Sequence, residues 1–290
     1  MRACHYCGKE NEDTMMFCAE CGTPLKSLEV THAEPRRSTS LPPKKPPRVL
    51  NAGSATVLML ANLAVQVFLG VFMGMLASVI AEAQGIHNLE KIVGVLDKLM
   101  PAMAVLIPVL GCIVTVLISF VLIPKHLKDT SPNGAAWVAG PWLAIAEGLV
   151  IGLIVSVCFS ALNRALRYHV VYSDLGPLDR MALTPGLPQI IWVVAGVLLA
   201  PAAEELLFRG VLYGGYRKSF GSIWAVVLTT LLFLLLHLPQ LIHFPPAIAG
   251  LTGLALAALW CRLRSKAIGS AIAVHIGYNA LFAFRWLTNH

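Results

Sequence analysis

Apolar runs long enough to cross a lipid bilayer fill most of this chain after residue 50. No other feature limits its fold so tightly. A hydrocarbon core about 30 Å thick needs about 20 apolar residues in a helix, because lipid offers no partner for an exposed backbone. Such runs are read at 55–81, 102–123, 140–162, 189–213, 222–241, 247–262 and 268–287. The composition agrees: 57% of the residues are hydrophobic, 13% are charged and mean hydropathy is +0.73, whereas soluble domains carry about 25% charged residues. The expected fold is all-α, a polytopic transmembrane helix bundle of about seven or eight spans.

Charge sets the orientation. Arg2, Lys9, Lys26, Arg36, Arg37, Lys44, Lys45 and Arg48 precede the first span. Lys125 and Lys128, Arg217 and Lys218, and Arg262, Arg264 and Lys266 recur in alternate connections. The positive-inside rule then places the N-terminus in the cytoplasm of a multi-pass protein of the cell (inner) membrane. The net charge of +7 reads as anchoring to anionic lipid, with no nucleic-acid partner. Residues 83–100, AQGIHNLEKIVGVLDKLM, have helical apolar spacing with charges opposite and read as an interfacial helix.

The first 25 residues differ from the rest. Cys4, Cys7, Cys18 and Cys21 form two CxxC knuckles, and Gly8 and Gly22 follow them directly. Four thiolates at this spacing suit one tetrahedral structural Zn²⁺, with no open position for catalysis. Reduced thiolates also fit a cytosolic compartment. Cys112, Cys158 and Cys261 lie in or beside apolar runs and read as small hydrophobes. Residues 26–50, with LPPKKPPR at 41–48, read as a basic, Pro-rich linker. The chain thus divides into a zinc ribbon (1–25), the linker (26–50), N-terminal spans (51–187) and a C-terminal transmembrane core (188–290). The tethered ribbon is expected to engage a protein partner or regulate access.

Chemistry concentrates in that last part. From residue 188 onward Glu204 and Glu205 are the only acidic residues. A charge at mid-membrane costs about 2.5–3.5 kcal/mol even on the lenient insertion scale, so two adjacent carboxylates require a reason. Glu205 and Arg209 stand at i, i+4 and can pair on one face, leaving Glu204 about 100° away. Pro201 precedes them and can bend the helix. Phe233 and His237 stand at i, i+4 in the next run, and His275 and Asn279 in the last. One arrangement accommodates Glu204, His237, His275 and Asn279 together: they face one another around water.

Those parts make a hydrolase. Glu204 can take a proton from water, one His can orient that water, and a His with Asn279 can donate to an oxyanion. Two His and a carboxylate also make a facial metal site, and the residues alone leave both options open. The HExxH and GxGD patterns of other intramembrane proteases are absent from the sequence. Glu147, inside an earlier run, reads as a protonated interhelical hydrogen-bonding group.

EELLFRG (204–210), FLLLH (233–237) and HIGYN (275–279) resemble, in order and separation, the EExxxR, FxxxH and HxxxN motifs of the CPBP intramembrane proteases. That family contains the CAAX prenyl endopeptidases and the bacteriocin-processing or immunity (Abi) proteins. The resemblance covers about 188–287. It implies Glu204 as general base, His237 holding the water, His275 and Asn279 as the oxyanion hole, Glu205 and Arg209 as supports, and Phe233 as a pocket residue. It implies a glutamate-type endopeptidase, first classed as a metallo-endopeptidase. Its substrates would be membrane-associated peptides or proteins, prenylated or hydrophobic. Structural zinc is expected in the ribbon, and no metal in the membrane site. The competing expectation is a non-catalytic membrane scaffold or bacteriocin-immunity-type protein, in which the polar site is a structural network.

Overall fold

The computed structural model describes residues 1–12, 14–25, 50–86, 88, 107, 109–111, 113, 114, 116–167 and 186–288. It separates into two compact units, Met1–Pro46 and Pro47–His290. The expected interfacial helix at 83–100 lies almost wholly outside the described residues, as do most of the linker and Cys112.

In the first unit, strands β1 (Arg2–Ala3) and β2 (Glu10–Asn11) pair antiparallel. Each knuckle closes through a glycine N–H: Gly8 donates to the Cys4 carbonyl and Gly22 to the Cys18 carbonyl, both at 2.9 Å. Gly8 and Gly22 take φ of 76° and 70°, a left-handed backbone that L side chains resist.

The second unit is helical: α1 (Ala52–Ala83), the four-residue α2 (Pro124–Leu127), α3 (Trp142–Ala165), α4 (Leu187–Phe220), α5 (Ser222–Leu236), α6 (Leu238–His243), α7 (Ala247–Ser265) and α8 (Ile268–Thr288). Among the described residues, α1, α3, α4 and α7 are long and apolar enough to cross a membrane. This is fewer than the expected seven or eight. The run at 222–241 is not one span: α5 stops at Leu236 after 15 residues. His237 leaves the helix with φ −94° and ψ 11°, and Pro239 sits in the first turn of α6. A proline there lacks the N–H that would continue the ladder of α5. The run at 102–123 lies partly outside the described residues, and those between 109 and 122 are helical.

α3 and α8 form the most extensive helix pair and run parallel, with Gly148 against Ser270 and Gly152 against Val274 and Tyr278. A Cβ at Gly152 would collide with the Val274 carbonyl. Small residues at this spacing bring two backbones together where apolar burial offers no gradient.

The basic ends gather at one end of the bundle. Arg217 donates to Asn133 Oδ1 at 2.8 Å, and Ser219 Oγ accepts from the Ala52 N–H at 2.9 Å. Arg262 is wholly buried and donates to the carbonyls of Ser131, at 3.2 Å, and Gly134. The same loop caps α8: the N–H groups of Ile268 and Gly269 donate to Ala136 and Val138 at 2.9 and 3.1 Å. These bonds satisfy amides that a helix N-terminus leaves unpaired. At this end Glu147 pairs with Arg264 at 2.7 Å, with both side chains partly exposed. It is an interhelical hydrogen-bonding group, as expected, and its partner is a guanidinium. Cys261 packs in the core, whereas Cys158 is exposed on α3, contrary to its expected role as a packed hydrophobe.

Candidate active site

The helix that carries the carboxylates is irregular where they sit. Within α4, residues Val194–Leu199 and Leu206–Leu212 are π-helical, and the α-helical turn Ala200–Glu205 lies between them. π-segments inside α-helices are frequent at functional sites.

The two glutamates have different surroundings. Glu205 is fully buried, and its Oε1 accepts from Arg209 at 2.9 Å and from His275 Nδ1 at 2.8 Å. The expected Glu205–Arg209 pair is therefore present, and His275 joins it from α8. Glu204 keeps 27% of its side chain exposed, and its Oε2 is buried without a hydrogen bond, 4.0 Å from His275 Nε2. His275 thus stands between the carboxylates, one nitrogen bonded to Glu205 and the other facing Glu204.

Phe233 of α5 is buried behind these groups. The Arg209 guanidinium carbon lies 4.4 Å from its ring centroid, a cation–π contact that shields the charge from lipid. The Phe233 ring also meets Phe208 at 5.2 Å and His275 at 6.1 Å edge to face. His237 lies just past the end of α5, where its Nδ1 is 2.8 Å from the Phe233 carbonyl. A carbonyl only accepts, so Nδ1 carries the hydrogen, and in the neutral ring Nε2 is the acceptor. Asn279 Nδ2 donates to the Gly196 carbonyl at 2.8 Å. Glu204, Glu205, Arg209, Phe233, His275 and Asn279 are thus joined by contacts across α4, α5 and α8, and His237 adjoins them through Phe233.

Next to this network, a cavity of about 220 Å³ is lined by Val109, Ile113, Val116, Leu117, Trp137, Leu199, Ala202 and Ala203. Ala203 directly precedes Glu204, so the apolar cavity reaches the turn that carries that carboxylate.

Residues 186–281 match the family model described as type II CAAX prenyl endopeptidase Rce1-like. They form an Rce1-like domain. The Rce1-like domain contains all three motifs and every polar group described above, and its family supports an intramembrane endopeptidase. Residues 4–25 match the zinc-ribbon domain. No curated protein and no solved structure matches the chain.

The ribbon fits its metal. The sulfurs of Cys4, Cys7, Cys18 and Cys21 lie within 4.8 Å of one another, and the Cys4–Cys21 and Cys7–Cys18 separations are 3.7 and 3.6 Å. Tetrahedral zinc with Zn–S bonds of about 2.3 Å sets the sulfurs about 3.8 Å apart. The Cys21 backbone N–H draws the Cys18 thiol down to about 6. Cys7, despite the Lys9 N–H, is pushed up to about 12, chiefly by the Cys21 side chain. Four thiolates this close need a cation to ionise together. The ribbon is a structural zinc site. Sequence reasoning foresaw its ligands but missed Asn11, whose side chain accepts from the Ala19 N–H at 2.9 Å and donates to the Lys9 carbonyl at 2.7 Å.

Proposed function

We propose that the protein is an intramembrane endopeptidase in which Glu204 activates water against a peptide bond of a membrane-associated, prenylated or otherwise apolar substrate. One observation carries this reading. Of two adjacent glutamates, Glu205 is fully buried with its Oε1 held by both Arg209 and His275, whereas Glu204 keeps 27% of its side chain exposed and its Oε2 has no hydrogen bond. A structural staple uses the first and has no need of the second.

Glu204 takes a proton from water as the oxygen attacks the scissile carbonyl. His237 has its Nδ1–H on the Phe233 carbonyl and so presents Nε2 to accept the water's other hydrogen. The carbonyl oxygen becomes an oxyanion, and His275 and Asn279 donate to it. In that role His275 carries a proton on each nitrogen, and the Glu205 carboxylate balances the charge. The tetrahedral intermediate then collapses, the C–N bond breaks, and Glu204 returns its proton to the leaving amine. This route uses only residues of the chain. The cavity beside Ala203 suits an apolar group next to the scissile bond.

The basic ends of α4 and α7 and the thiolate ribbon support a cytoplasmic N-terminus in the inner membrane. The ribbon would engage a protein partner from its tether. The scaffold alternative draws on the same Glu205–Arg209–His275 network, whose ion pairs form without Glu204. Incubating the full-length protein in detergent with prenylated and unmodified apolar reporter peptides tests the proposal. A new N-terminus should appear with the wild type and not with Glu204→Gln. Equal cleavage by both would overturn Glu204 as the base.

A further inference from the structure

We infer that Asn279 is a positioning residue: it replaces the backbone donor that Pro201 lacks and so fixes the register of the Glu204-bearing helix against α8. The π-ladder in α4 runs until the Ala200 N–H donates to the Ala195 carbonyl. The next carbonyl in that i→i+5 register is Gly196, and its partner would be residue 201. Pro201 has no N–H to give. The Gly196 carbonyl is part-buried, and a carbonyl drawn from water and left without a donor destabilises the fold. Asn279 Nδ2 fills the gap from α8 at 2.8 Å.

The geometry ties three things together. The proline creates a deficit that the helix cannot meet from its own backbone. Among the described residues, the donor to that carbonyl comes from α8, the helix that also carries His275. The α-helical turn that begins at Ala200 contains Pro201, Glu204 and Glu205. Asn279 and His275 therefore grip α4 one turn apart on α8, Asn279 before the carboxylates and His275 on them. Loss of the Asn279 bond leaves Gly196 unpaired and frees the turn to rotate away from His275. The amide has two hydrogens, and one of them is committed to Gly196. The second is the one left for an oxyanion in the proposed reaction, on which the catalytic half of this inference rests.

A double-mutant cycle on the full-length chain tests it. Pro201→Ala restores an N–H that can bond Gly196 from within the helix. Asn279→Ala should lower the thermal midpoint in detergent by several degrees in the wild type and by clearly less in the Pro201→Ala background. Equal losses in both backgrounds would overturn the inference. Should Asn279→Ala fail to fold, Asn279→Asp, which has the same shape without the donor, completes the cycle. The cleavage rate supplies the positioning readout. Asn279→Ala should reduce kcat by at least about 100-fold, because it removes the Gly196 bond and the oxyanion donor together, and Pro201→Ala should restore only the share due to position, about tenfold. A midpoint that recovers while kcat does not would overturn the positioning role. A wild type without cleavage would fault the proposed function alone, because the midpoint cycle still decides the Gly196 bond.

Discussion

His275 donates through Nδ1 to the Glu205 oxygen that also accepts from Arg209, and its other nitrogen lies 4.0 Å from Glu204. The imidazole therefore separates a fully buried carboxylate, held through Oε1 by two donors, from a partly exposed one whose Oε2 has no hydrogen bond. The hydrogen on Nδ1 is fixed by a partner with no hydrogen to offer, so the chemistry of His275 is confined to the nitrogen facing Glu204.

Arg209→Ala would leave the Glu205 charge buried with His275 alone and should destabilise the fold by about 3–5 kcal/mol. The thermal midpoint of the detergent-solubilised protein measures this. Glu205→Leu combined with Arg209→Met removes both charges at similar volume and should lose less than Arg209→Ala by itself.

Gly152→Ala should destabilise the bundle by about 1–3 kcal/mol. Its new methyl would strike the Val274 carbonyl and push α8 off α3. Because α8 carries His275 and Asn279, cleavage should fall along with the midpoint.

Much of this was legible in the sequence, for identifiable reasons. Glu204, Glu205 and Arg209 stood out because charges are rare in apolar runs, and i, i+4 spacing paired two of them correctly. The ribbon was legible because knuckle spacing is set by metal geometry. The link from His275 to Glu205 was hidden, since periodicity within one helix says nothing of the partner helix. The break at His237 was masked by an apolar run continuing to 241, although Pro239 marked it. Arg262 read as a cytoplasmic-loop charge, yet it is buried under the loop at 131–134. The signal that could have found the Asn279–Gly196 bond was Pro201, whose missing N–H requires a donor from elsewhere.

Arg262→Met should release that loop. It leaves the Ser131 and Gly134 carbonyls without their donor, at about 1–3 kcal/mol for each buried group. Hydrogen exchange should rise across 131–138 and at the α8 amides of Ile268 and Gly269, while the ribbon is unchanged.

One zinc per chain should be found by metal analysis, and Cys18→Ser should lose it. Binding requires thiolates, so acid releases the metal. Protons and zinc compete for the same four sulfurs, so occupancy falls as the pH falls. Zinc release followed with a chromogenic chelator should therefore rise on acidification and stay low at pH 7–8.

Single-turnover cleavage of an apolar reporter by the wild type, Glu204→Gln and Glu205→Gln tests the central claim most directly. Removing a general base costs about 10²–10⁴-fold in rate. Glu204→Gln should fall by at least that much with its thermal midpoint unchanged, whereas Glu205→Gln should lose midpoint as well as rate. A folded Glu204→Gln protein that cleaves at the wild-type rate would contradict the account.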